Sequence, residues 1–184
     1  MKTIAARLAL LLLLALPALA DATDYHVLPA SRLGFSGSFQ GATFDGSFAK
    51  WTAQIRYDPA QLASSHFDVT VDTASAQTGD NDRDHALPGA DFFDVARFPT
   101  AHFVSNGFRQ AGGKVVVDGQ LTLRGVTRPI SLDLSFVPGG QGATLDATGT
   151  VNRLDYGVGG GEYADTSVIG AQVSVHAHLL LTAK

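Results

Sequence analysis

The sequence predicts an all-β fold in which antiparallel strands, each with one apolar face, stack as a sandwich or close into a barrel. Three observations carry this. Apolar and polar residues alternate with period two along most of the chain, and successive side chains leave opposite faces of a pleat, so alternation marks half-buried strands. Gly, Pro, Asn and Asp punctuate the runs at regular intervals, as they do in all-β domains. No apolar pattern at helical period exceeds about two turns.

The first element is not a strand. Met1 to Arg7 is short and basic, Leu8 to Leu16 is wholly apolar, Pro17 breaks the run, and Ala18-Leu19-Ala20 offers a small-x-small cleavage site before Asp21. This is the grammar of a secretory signal peptide. The run is shorter than the roughly 18 apolar residues a spanning helix needs. Removal at 20 leaves one domain, 21–184, outside the cytoplasm.

Strands are expected at about 24–38, 43–57, 65–73, 101–110, 114–124, 127–137, 143–152 and 171–182. The alternation is clearest in four of them. Phe67, Val69 and Val71 oppose His66, Asp68, Thr70 and Asp72. Leu121 and Leu123 oppose Gln120, Thr122 and Arg124. Leu132, Leu134 and Phe136 oppose Ser131, Asp133 and Ser135. Val173, Val175, Ala177 and Leu179 oppose Ser174, His176 and His178. Turns are marked by Asp58-Pro59, Ala111-Gly112-Gly113, Pro138-Gly139-Gly140 and the Gly-rich 157–161. Short helical pieces fit 80–87, 91–95 and 60–63. No composition break divides the chain. Eight strands with one apolar face must stack or close, and closure removes exposed edges.

Composition excludes several functions. An apolar fraction of 45% is too high for intrinsic disorder. The absence of Cys excludes disulfides, thiolate metal sites, thiol nucleophiles and an acylated N-terminal Cys. The net charge is −4, and −6 without Lys2 and Arg7. An acidic chain with no basic run is a poor nucleic-acid binder and a poor candidate for docking on anionic lipid.

Polar clusters are weak signals. Asp80, Asp82, Asp84 and Asp91 are spaced like a calcium loop, but His85 stands where Gly is needed and Asp91 where a bidentate Glu is needed. A turn with a helix-capping Asp is the expected structure. His176 and His178 share a strand face without an evident third ligand, so no metal site is expected. Gly34-Phe35-Ser36-Gly37 lacks the spacing of a nucleophile elbow. No catalytic residues are assigned, although Ser, His and Asp could still meet in space. All 11 Phe lie beyond residue 34, and they either fill the core or line an elongated apolar pocket.

Several strings in order carry a family resemblance. They are 31–39 followed by Phe44-Asp45-Gly46-Ser47-Phe48, then 55–59 and 69–72. Asp82-Arg83-Asp84 comes next, with Asp91-Phe92-Phe93-Asp94-Val95 and Phe98-Pro99-Thr100-Ala101-His102-Phe103. The series closes with 119–129 and Asn152-Arg153-Leu154-Asp155-Tyr156-Gly157-Val158. The chain resembles the YceI-like family of extracytoplasmic lipid-binding proteins. The resemblance implies an antiparallel, eight-stranded, lipocalin-like barrel with an internal apolar cavity. It also implies a periplasmic binder of long isoprenoid or quinone-type amphiphiles, acting as carrier or reservoir, and no defined catalytic set. The Gly-rich 157–166 departs from that pattern.

On this reading Phe35, Phe48, Phe67, Val69, Val71, Phe92, Phe93, Phe103, Leu121, Leu123, Leu132, Leu134 and Phe136 face a lipid tail. Arg83, Asp84, Arg128 and Arg153 stand near a mouth, or else fasten loops, Arg153 through Asp155. The expected partner is a long-chain amphiphilic lipid, with neither nucleic acid nor a stable membrane anchor, and homodimerisation is left open. No cofactor is expected beyond a bound isoprenoid lipid or quinone as ligand. The alternatives are a filled barrel serving a stress or interaction role, and a hydrolase with a spatially assembled Ser/His/Asp site.

Overall fold

The computed structural model describes residues 22–140 and 142–184. The segment read as a signal peptide lies outside the described residues. In chain order the elements are β1 (Thr23–Val27), β2 (Arg32–Phe39), β3 (Ala42–Phe48), β4 (Trp51–Tyr57), β5 (His66–Asp72), β6 (Ala76–Gln77) and α1 (Asn81–Ala86). After α1 come β7 (Thr100–Ala111), β8 (Lys114–Leu123), β9 (Val126–Gly139), β10 (Gly142–Asn152) and β11 (Gln172–Ala183). Every strand pair is antiparallel. The ring β1-β4-β5-β7-β8-β9-β10-β11 closes when β11 pairs with β1, giving an eight-stranded barrel. The β2–β3 hairpin, with β6 on its outer edge, continues the sheet from β11.

Two expected strands are each split in two. The run at 24–38 breaks at Leu28 to Ser31, because Pro29 cannot donate to a ladder. The corner is pinned to β11 instead: Leu28 N–H donates to Leu180 O at 2.8 Å, and Leu180 N–H donates to Ser31 Oγ at 2.9 Å. The run at 43–57 breaks at Ala49-Lys50, where the amides donate to Ser75 O and Ser75 Oγ. That turn has no Gly or Pro and is held by a residue 25 positions away, so local sequence does not mark it. The expected helix at 80–87 is α1, and Asp80 caps it by accepting from Arg83 N–H at 3.0 Å. Residues 91–95 form turns, and the piece at 60–63 is a short 3-10 turn at Leu62–Ser64.

The apolar interior has two parts. One lies at the end where β1 closes the ring. There Tyr57 is only 1% exposed and packs on Phe67, Phe108 and Phe136, with ring centroids 5.9, 5.9 and 4.9 Å away. A bulge between Ser105 and Gly107 in β7 shifts the strand phase so that Phe108 faces inward opposite Val117. The second part gathers Phe35, Phe93, Tyr156 and Val158 at the opposite end, under the segment that follows α1.

Candidate functional site: an apolar interior that opens through the barrel wall

Cross-strand register defines the inner face. Ala53, Val69, Phe103 and Leu121 are successive partners across β4, β5, β7 and β8, and side chains directly opposite share a face. The same row reaches Arg128 on β9. The ring is hydrogen-bonded all round only at the aromatic end. Beyond Thr148 and Asp133 the β9–β10 ladder stops. On the opposite side β2 and β3 follow β11 while β4 stays with β1. The strands therefore part between the 28–31 corner and the Ala49-Lys50 turn.

At that parting the wall carries an opening of about 710 Å³. Its apolar lining includes Tyr25, Val27, Leu33, Phe48, Trp51 and Ala53, and its charged or titratable lining is His26, Arg32 and Lys184. Tyr25, Val27, Trp51 and Ala53 also pack against the buried core and stay only half-buried. The inner surface is thus accessible from the side of the barrel. Apart from Phe48, sequence reasoning missed this lining. The alternation of Trp51, Ala53, Ile55 and Tyr57 with Thr52, Gln54 and Arg56 was the signal that could have found part of it.

The residues read as facing a lipid divide into two groups. Phe35, Phe67, Val71, Phe93, Phe103 and Leu134 are buried. Their surfaces are taken up by the protein: the Phe103 ring, for example, fills the space where a Cβ on Gly119 would stand. Phe48, Val69, Leu121, Leu123, Leu132 and Phe136 remain half-buried. Phe92 lies on no strand; it stacks on Tyr163 at 5.0 Å in the loops beside the second core. The interior is therefore not one unfilled tunnel. Large aromatics pack its closed end, and of the half-buried residues Phe48 lines the wall opening.

Of the four residues read as a mouth, Arg83 and Asp84 meet at the Thr78 hydroxyl, while Arg128 and Arg153 make other contacts. Arg83 lies over the Phe44 ring at 4.7 Å and pairs with Asp80 at 3.5 Å. Asp84 accepts from the Thr78 N–H and from its hydroxyl, both at 2.7 Å. Arg128 is exposed. Its charge opposes the rise that burial and Asp155 give the Tyr156 phenol pKa. Arg153 is 4% exposed, and its partners are backbone carbonyls rather than Asp155. It is a loop fastener inside the protein, out of reach of a headgroup.

The Thr78 hydroxyl and then its N–H hold the Asp84 carboxyl below the ordinary carboxylate range. A lowered folded-state pKa adds stability that is present above the unfolded value, near 3.9, and is lost as pH falls through the folded value. Melting temperature measured between pH 7 and pH 2 should therefore fall less steeply below about pH 4 in Asp84→Asn than in the unmodified protein. Equal acid slopes would assign the acid sensitivity elsewhere.

The polar contacts bear on catalysis. Ser105 Oγ accepts from Phe67 N–H at 2.8 Å and lies 3.4 Å from His66 Nδ1. The carboxylates of Asp68 and Asp146 contact different histidines, His102 at 2.9 Å and His178 at 2.6 Å. Among the described residues no Ser, His and Asp meet in one chain of contacts.

Comparison with known proteins decides the family, since residues 25–181 match the YceI-like domain. The chain belongs to the YceI-like family. A UPF0312 protein of Pseudomonas savastanoi pv. phaseolicola is 35% identical over 152 residues, which cover 77% of this YceI-like chain and 79% of that protein. The crystal structure of BcnA from Burkholderia cenocepacia matches with a TM-score of 0.80 at 32% identity, over 84% of this chain and 99% of that one. A polyisoprenoid binding domain from Saccharophagus degradans shares the fold of this YceI-like protein. Its TM-score is 0.65 at 18% identity, over 87% of this chain and 98% of that one.

Proposed function

We propose that this YceI-like protein binds a long isoprenoid or quinone-type amphiphile in the periplasm, as a carrier or reservoir rather than an enzyme. The observation that carries the reading is the set of inward apolar side chains left accessible around the 710 Å³ opening. That volume lies in the ~300–1,000 Å³ range of small-molecule sites. Apolar chemistry without a convergent Ser/His/Asp set suits binding. The resemblance to a domain described as polyisoprenoid binding supports the ligand class, and the basic, apolar, small-residue order of residues 1–20 supports export.

Energetics suit a carrier. Burying one methylene from water is worth about 0.8 kcal/mol, so a long tail would nominally pass the observed affinity ceiling near −20 kcal/mol. Transfer from bilayer to barrel is apolar to apolar and nearly neutral, which permits both loading and release.

Native mass spectrometry and lipid extraction of protein purified from periplasm test this. An adduct that extracts as an isoprenoid lipid or quinone is the expected result. Protein that is ligand-free from its own cells and takes up no prenyl lipid from detergent would refute the proposal. The packed aromatic end favours a second reading, a barrel with an interaction role and no small ligand, and that outcome would support it.

A further inference from the structure

The overall charge of the chain argues against attraction to an anionic surface, but the charge is unevenly spread. The opening is lined by His26, Arg32 and Lys184, and among the described residues no Asp or Glu side chain lines it. Lys50, exposed, stands between the lining residues Ala49 and Trp51. Asp24, the acid nearest along β1, is held by Arg56 at 3.1 Å. Beside these cations the 28–31 corner presents three consecutive exposed apolar residues, Leu28, Pro29 and Ala30, with Leu28 38% exposed. The corner is pinned from behind by its hydrogen bonds with Leu180, so the apolar tip stands on a fixed base. An exposed apolar tip flanked by basic side chains is what a peripheral protein uses to enter a headgroup layer.

We infer that this face docks reversibly on an anionic lipid bilayer, with residues 28–30 entering the headgroup region and Arg32 and Lys50 meeting lipid phosphates. Docked in this way, the opening faces the membrane, and a lipid tail passes sideways into the barrel without crossing water. The passage of the tail rests on the lipid-binding proposal above; the docking itself does not.

Flotation with vesicles of phosphatidylethanolamine and phosphatidylglycerol, against vesicles of phosphatidylcholine alone, reads the docking. Uptake of a fluorescent prenyl alcohol from detergent reads the lipid-binding proposal. The protein should float with the anionic vesicles and be released by high salt, since screening weakens exposed charge interactions. Each basic residue lost from the surface should weaken binding about fivefold, so Arg32→Glu with Lys50→Glu should lower it at least 25-fold. Leu28→Asp should lower flotation as well. All three substitutions are at exposed positions, and because Lys50 lies outside the lining of the opening, Lys50→Glu alone should leave uptake from detergent unchanged. No flotation of the unmodified protein, or equal flotation of folded variants, would overturn the docking whatever detergent uptake shows. Flotation without uptake would uphold the docking and refute lipid binding.

Discussion

Replacing Arg153 with alanine is expected to lower stability by about 3–5 kcal/mol, as read from urea unfolding midpoints. Its Nε donates to Gly170 O at 3.0 Å, Nη1 to Val158 O at 2.9 Å and to Gly159 O, and Nη2 to Tyr163 O and Ile169 O, both at 2.8 Å. Five carbonyls from the segment between β10 and β11 thus converge on one planar cation. Burial lowers its pKa, but a guanidinium stays charged. Removing the donor strands those carbonyls, and a buried polar group without a partner costs about 1–3 kcal/mol. Against a typical total of about 5–15 kcal/mol, that is a large fraction. Arg153→Lys should recover less than half, because an ammonium has no planar fork to span five acceptors. An alanine variant within about 1 kcal/mol of the unmodified protein would show that the loop is held by other contacts.

Placing tryptophan at Ala53 is expected to weaken lipid binding about a hundredfold while changing stability by no more than about 1 kcal/mol. Ala53 faces inward opposite Val69, lines the opening and is only half-buried. A larger apolar side chain there extends into open space instead of a packed core. If it displaces three or four methylenes of a tail, the loss is about 2.5–3 kcal/mol at 0.8 kcal/mol each. Calorimetric titration with a prenyl alcohol, alongside urea unfolding, separates the two effects. Unchanged affinity in the folded variant would show that the ligand does not occupy this space. A charge at Leu134 is a poorer probe, since Leu134 is buried in the packed half and Leu134→Asp would unfold that end.

Much of the strand order could be read along the chain. Alternation in β5, β8, β9 and β11 identified the inner faces correctly, because a pleat sends neighbouring side chains to opposite sides whatever the strand pairs with. The capping role of Asp80 was legible too, since an Asp before a helical turn accepts from that turn's own amides. Arg153 was found for a weaker reason. A charged residue beside Asp155 suggested an ion pair, whereas its partners are carbonyls as far as 17 positions away. Nothing about the spacing of those carbonyls marks them as acceptors.

Alone, the sequence determined that the domain is built of half-buried antiparallel strands and which side chains share a face. Tertiary structure decided which strands are neighbours, how far the interior is filled and where the wall opens. The two breaks that frame the opening are held by Ser31 against β11 and by Ser75 against the Ala49-Lys50 turn. Both are side-chain contacts between distant segments, and a local residue period carries no information about contacts at that separation.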